Sequence, residues 1–442
     1  MRDRWTTDQV TALAPDAPSM AAARGLSTAA KWVEHGAGDG PPATIWGLAK
    51  GSGSKPYQTC VDLDEPAYRC SCPSRKFPCK HALGLLLMWA SGSVVVASET
   101  PGWVLEWHES RAGRAAKAEA RRVAGAEPKT EAQEKAASKR AAQRDDRVAS
   151  GVVELAQWLD DQVAGGIAGL DRVGYKHWDL AAARLVDAQA PGLARRVRDL
   201  AGVAGSRDGW DQRLLAELGT LRLLTTAYAR VDSLPADLAE TVRGHVGFTT
   251  PIERVLETPP IRDIWQVIGV RDESDERLTT RRSWLVGRDT GRVGLVLAFA
   301  VAGQPIAADL VMGTAIDADI CFYPGATPLR ATVSIKHGAP ARCATPTPAS
   351  TVNALLDRYA DAVAADPWLD IWPALLHGVL VPGTTWHLVD DAGDALPIRT
   401  RSNEPWHLVG AAGGSPATYS AEWSTDGLRL LAGYIDGEVV GA

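Results

Sequence analysis

The sequence predicts an α+β multidomain protein. A small strand-strand-helix module near the N-terminus is followed by a helical middle domain and a strand-rich C-terminal domain. Three observations predict this. Soft metal ligands crowd into one stretch, CSCPSRKFPCKH at 70–81, where a strand pattern gives way to a helix pattern. Apolar residues recur at helical spacing from 150 to about 247. After Pro260 the recurrence becomes mostly period two, punctuated by Asp/Gly turn signals.

Bulk composition narrows the function. A chain of 442 residues exceeds one ordinary core. With 45% hydrophobic and 23% charged residues it has the make-up of a soluble globular protein. The net charge of -6 argues against a general nucleic-acid coat but leaves room for a local basic patch. The start, MRDRWTTDQV, has no signal-peptide core, and the longest apolar run, LGLLLMWA, falls short of the ~20 residues of a membrane span. A cytoplasmic location is therefore expected, where thiols stay reduced and clustered cysteines indicate metal. Sixteen tryptophans against four phenylalanines are assigned mostly to cores and domain packing.

In order along the chain, 1–108 form the N-terminal module. Thr6 to Leu13 and Pro18 to Leu26 read as short helices, with Thr6 and Gln9 as a capping box. TIWGLAKGSG and PYQTCVDL read as two strands joined by a Gly-Ser turn, AYRCSC as a third, and HALGLLLMWA as a helix. Residues 44–90 offer few large apolar side chains outside that helix, so the module is expected to lack a full core. Residues 109–149, rich in alanine and mixed charge, read as a basic-leaning, partly helical linker interrupted at Gly125 and Pro128. Residues 150–258 form the helical domain. Ser150 is placed as a cap before Val152, Leu155, Ala156, Leu159 and Val163; Leu214, Leu218, Leu221 and Tyr228 share a stripe; Pro235 opens a later helix. Residues 259–442 are mainly β, with one helix near 351–364. Val293, Leu295, Leu297 and Phe299 alternate onto one face, and turns fall at Asp289–Gly291, Asp391–Gly393, Asp426–Gly427 and Asp436–Gly437. Three tail segments, each with a Trp leading into a strand and a Gly-rich turn, predict repeated hairpins.

The cysteine cluster carries the chemistry. Cys70 and Cys72, two apart at a strand end, point to one side. Cys79 and His81 cannot share a face of a regular helix at that spacing. Cys79 is therefore expected in the non-helical lead-in, with His81 in the first turn. Pro73 and Pro78 stiffen the loop between the pairs. Three thiolates and an imidazole suit tetrahedral Zn2+ and fill all four positions, so the site is structural, with about one net negative charge. Arg69, Arg75, Lys76 and Lys80 favour the thiolate form, as does the positive end of the helix.

This stretch resembles the SWIM zinc finger, whose pattern is CxC, a variable gap, then CxH on a strand-strand-helix frame. Cys70, Cys72, Cys79 and His81 match it within about 58–90. A longer resemblance, carried by WGLAKGSGSKPYQTCVDL, ARLVDAQAPGLA, RRSWLVG, FYPGATPLRA and DPWLDIWP, is to an uncharacterised bacterial SWIM finger family. Its members are often encoded beside MoxR-type AAA+ ATPases and von Willebrand factor A proteins, which the resemblance implies as partners. SWIM fingers elsewhere occur in transposases, chromatin-remodelling ATPases and kinases, and are thought to bind DNA or protein.

Other candidates read as structural. Cys60 fits a small buried residue, and Cys321 and Cys343 stand isolated. His177, His377, His387 and His407 lack ligand partners at fixed spacing. GSGSKPY lacks the GxxxxGK[ST] order and reads as a hairpin turn. Arg195, Arg196 and Arg198 read as a solvated basic face. With no nucleophile elbow, paired catalytic carboxylates or dinucleotide fingerprint, the chain is expected not to be an enzyme. Two readings of function remain. The first is a zinc-binding interaction protein that contacts other proteins, its tryptophans anchoring interfaces. The second is a nucleic-acid-binding protein using Lys55, Arg69, Arg75, Lys76 and Lys80 on phosphates, with Phe77 placed to stack on a base or to cover the metal.

Overall fold

The structure is a computed structural model. It describes all residues except 1–6, 15–16, 39–42, 52–54, 64–66, 75, 77, 98, 114–130, 207–208, 275–277, 302–305, 307–308, 339, 344–345, 347–348 and 401–403. Thr6 of the capping box, much of the Gly-Ser turn, and Gly125 and Pro128 of the linker lie outside the described residues.

The N-terminal module is a four-stranded antiparallel meander between two helical layers. Its strands are β1 (Trp32–Gly38), β2 (Thr44–Ala49), β3 (Tyr57–Asp62) and β4 (Ala67–Cys70), in that order across the sheet. The helices α1 (Thr7–Ala12), α2 (Ala17–Arg24) and α3 (Lys80–Ala90) cover one face. Val10, Leu13, Met20, Ile45, Val61, Leu83 and Leu86 meet there. Period two sends Trp46 and Cys60 to the other face, against Val104 and Trp107 of α4 (102–113). The module thus has a two-sided core, contrary to the expectation from 44–90. The missing apolar surface comes from β1, α1, α2 and α4, all outside that range. Gly84 permits a close helix–helix approach inside it, since a Cβ there would lie 2.8 Å from Leu26 Cβ and 3.2 Å from Ala23 O.

The segment read as a linker is helical at both described ends: α4 runs to 113, and α5 (Glu131–Ala164) begins well before 150. Alanine and long charged residues are strong helix formers. Ser150 is therefore no cap. It sits inside α5, its hydroxyl donating to Asp146 O at 3.0 Å. The bundle adds α6 (Tyr175–Asp187), α7 (Pro191–Asp199), α8 (Trp210–Tyr228) and α9 (Ala236–Val246), and α10 (Ile252–Leu256) follows against the strand-rich half of the chain. Its core takes Val152, Leu155 and Leu159 from α5 and the expected α8 stripe, whereas Val163 is exposed. Gly192 lets α7 abut the end of α9, because a Cβ there would meet His245 O at 2.2 Å.

The C-terminal half contains two closed barrels of the same topology. In the first, β5 (Ile261–Ser274), β6 (Leu278–Gly287) and β7 (Val293–Val301) form a meander, and β8 (Thr314–Phe322) returns beside β5. The next strand, β9 (Arg330–Lys336), pairs antiparallel with β8 and parallel with β7, closing the barrel; β10 (Ala341–Arg342) is appended to β8. After α11 (Val352–Ala365), capped by Thr351, the pattern recurs. A meander of β11 (Trp372–Val381), β12 (Trp386–Val389) and β13 (Ala395–Ile398) is followed by β14 (Ala417–Ser424) beside β11. Then β15 (Gly427–Ile435) pairs with β14 and, in parallel, with β13; β16 (Glu438–Gly441) is appended to β15. In each barrel the long first strand is shared between two neighbours, the Greek-key arrangement of OB-type barrels. All four predicted turns form, the last with positive φ at both Asp436 and Gly437. The expected triple hairpin is corrected. Two tail segments are hairpins, but WHLVGAA forms helix α12 (Trp406–Ala412) between β13 and β14, with Leu408 in the barrel core. The true repeat is the barrel.

Domains are joined by buried polar contacts. Trp368, 3% exposed, packs into the bundle core and donates from Nε1 to Thr220 O at 3.1 Å. Arg196 is not part of a solvated face; it donates to Trp368 O at 2.8 Å and lies 3.2 Å from Asp370. Arg195 is exposed, and Arg198 pairs with Asp179 at 2.9 Å. Among the described residues no helix is long and apolar enough to cross a membrane.

Candidate metal centre

The four predicted ligands converge where β4 leads into α3. The ligand atoms of Cys70, Cys72, Cys79 and His81 all lie within 4.8 Å of one another. Cys70 Sγ is 3.7 Å and Cys79 Sγ 4.0 Å from His81 Nδ1. Zn–S and Zn–N bonds at tetrahedral angles place donors roughly 3.5–3.8 Å apart; the donor set fits Zn2+, and the four donors are gathered near that spacing, in part a little beyond it. Cys79 occupies the N-cap of α3 in extended conformation, and His81 follows inside the first turn. This is the arrangement that the CxH spacing demands. Cys79 and His81 are buried at 1% and 5% exposure.

Two neighbours escaped the sequence reading. Thr59 lies opposite Cys70 on β3, its hydroxyl 3.1 Å from Cys70 Sγ, and the Tyr57 ring packs 5.1 Å from His81. Strand alternation was the available signal, because Tyr57, Thr59 and Val61 share the α3 face. The three thiols must lose their protons to ligate Zn2+, so zinc affinity rises with pH.

The contact residues separate. Lys76, between the two ligand pairs, and Lys80, between Cys79 and His81, are exposed, as is Lys55, two residues before Tyr57. Arg69 is not beside the metal: alternation turns it to the opposite face, where it donates to Trp103 O at 3.3 Å. Arg75 and Phe77 lie outside the described residues. Cys60 is also on the opposite face, and burial pushes its thiol up to about 12, as befits an inert cysteine. Cys321 is buried and Cys343 half-buried, with Sγ 3.1 Å from Gln266 Oε1.

A closed Cys3His site on a strand-to-helix frame defines a structural zinc-finger protein. More particularly, residues 60–90 match the family model of the SWIM zinc finger, and residues 143–246 that of the SWIM-associated four-helix bundle domain. No curated protein and no solved structure matches the chain. The chain carries a SWIM finger for one Zn2+, with the associated bundle behind it.

Replacing Cys72 with Ser is expected to abolish zinc retention, whereas Cys60→Ala, Cys321→Ala and Cys343→Ala keep one zinc per chain. Elemental analysis after gel filtration checks this. Full zinc content in the Cys72→Ser protein would refute the ligand set.

Proposed function

We propose that the chain is a zinc-stabilised nucleic-acid-binding protein whose finger is non-catalytic. The carrying observation is the surface at the finger: Lys76 and Lys80, within the ligand-bearing segment, are exposed, as is Lys55 just before β3, while the ligands themselves are half-buried or buried. Cations in this position meet phosphates without reading sequence. The competing reading leaned on tryptophans as protein anchors. Here Trp32, Trp46, Trp89, Trp107, Trp178, Trp265, Trp284, Trp368 and Trp386 are buried, and Trp406 is the one tryptophan among the exposed large hydrophobics of the described residues. A reducing, cytoplasmic setting accords with thiolate ligands.

Binding of the zinc-loaded chain to duplex and single-stranded DNA, followed across a salt series, tests the reading. Saturable binding at low salt is expected. Lys76→Ala with Lys80→Ala should flatten the log–log salt slope by roughly 0.7 to 0.9 per lost contact. An absence of binding at low salt removes the reading.

A second reading, protein contact, has one observation in its favour. Val95 and Val96, 66% and 61% exposed, lie on the segment bridged to the β1 edge. The SWIM resemblance makes a MoxR-type ATPase or a von Willebrand factor A protein the first partner to test by calorimetry, with Val95→Asp expected to weaken any complex.

A further inference from the structure

The first part of α5 serves no core. The bundle's apolar cluster takes its first α5 residue at Val148. Every described side chain from Glu131 to Gln143 is exposed. The matched bundle segment begins only at 143. A helix that is polar on all sides, outside any core, needs another reason to be there.

Its charges are uneven. At 3.6 residues per turn, Lys135, Lys139, Arg140, Arg144 and Arg147 fall on one half of the helix. By sequence, positions Glu131, Glu134 and Asp145 fall on the other half, and Asp146 lies among the cations. Lys135 pairs with Glu131 at 3.0 Å, but both are about four-fifths exposed, so the pair contributes little. Arg144 is held over the Phe248 ring at 4.4 Å and donates to Gly247 O at 3.1 Å, which anchors this helix to the bundle. Lys139, Arg140 and Arg147 are exposed and make no ion pair among the described residues.

We infer that residues 131–147 of α5 form an arm that lies against duplex DNA, its basic half on the phosphates. This rests on the nucleic-acid reading above and deepens it. The charge complements a phosphate backbone. The arm is about 25 Å long at 1.5 Å per residue, and the major groove of DNA admits an α-helix. Alanines at 136, 141 and 142 keep it slender. The segment holds no aromatic residue, so it lacks the stacking platforms that grip single strands. The deep, narrow major groove of duplex RNA excludes such a helix. With only Ser138 and Gln143 as described uncharged polar residues, recognition is by phosphate rather than by base.

The test uses the full zinc-loaded chain, a mixed-sequence 20-base-pair DNA duplex and fluorescence anisotropy over a salt series. The variant is Lys139→Ala/Arg140→Ala/Arg147→Ala. Alanine preserves helicity, and circular dichroism confirms it. The expected result is a salt slope smaller by about 2 to 3, since each phosphate contact contributes about 0.9. An unchanged slope alongside clear wild-type binding overturns the arm but leaves the proposed function standing. Preference for single strands, with the slope again unchanged by the variant, does the same. No wild-type binding at low salt overturns both.

Discussion

Chelating the zinc is expected to unfold residues 7–113 and to leave the chain from 131 onward folded. The metal ties β4, four residues long, to the N-terminus of α3, and α3 is the helix on which the module's larger core is built. Without it, Cys79 and His81 stay buried without their shared ligand. Structural zinc in peptide fingers contributes about 10 to 16 kcal/mol of apparent binding energy, which is folding energy. A whole domain is stable by only about 5 to 15 kcal/mol. Loss of the metal therefore removes a term as large as the module's stability, even with the two-sided core. The bundle and the barrels have separate apolar cores. The N-terminal module meets the first barrel through Val311, packed against the N-terminal core, and through α1 beside β10, without sharing a core with it. Limited proteolysis with and without chelator, read by mass spectrometry, should give a resistant fragment beginning near 131. Loss of protection throughout the chain would show that the finger is built into the main body.

The metal centre was legible because coordination chemistry restricts both residue type and spacing. CxC on a strand and CxH at a helix start leave one geometry, and Cys79 adopts it. Arg69 was misplaced beside the metal although the signal against it was there: a neighbour of Cys70 on a strand must face the other way. The second core layer was harder. Trp46 reads as a strand residue, but nothing local says that Trp107, beyond a helix and a loop, covers it. The barrels lay furthest from view. Their hairpins come from Asp/Gly turns, which are local signals. Closure depends on β9 meeting β7, and β15 meeting β13, in parallel, pairings with no local signature. A similar WHLV stretch forms a strand at 386–389 and a helix at 406–409, so tertiary context overrides propensity there. Trp368 shows the same limit, a residue of the expected β domain buried in the bundle's core.

Replacing Glu422 with Ala is expected to destabilise the paired barrels by about 3 to 5 kcal/mol, the usual cost of breaking a buried ion pair. Glu422 is 2% exposed on β14 of the second barrel, and its partners all come from the first. Trp284 Nε1 donates to Oε1 at 2.9 Å, Arg271 Nε lies 3.0 Å from Oε2, and Arg282 Nε lies 3.3 Å from Oε1. Around this group Leu431 of β15 packs with Ile268, Trp284, Val286 and Leu295 on the outer face of the first barrel. That face includes part of β6 and β7, the strands on which OB-type barrels commonly hold ligands, so the second barrel already occupies much of it. Truncating Glu422 leaves Arg282 without its paired carboxylate and Arg271 with only the half-exposed Glu273, and the repulsion between the two guanidinium groups adds to the lost hydrogen bond. The damage should be repairable. Glu422→Leu combined with Arg271→Met and Arg282→Met removes every buried charge together, and such replacements are often neutral or stabilising. Urea unfolding followed by tryptophan fluorescence, to which Trp284 contributes from inside the network, compares the three proteins. A loss below about 1 kcal/mol for Glu422→Ala would mean that apolar packing around Leu431 alone holds the barrels together. A triple variant no more stable than Glu422→Ala would mean instead that charge specifies how they dock.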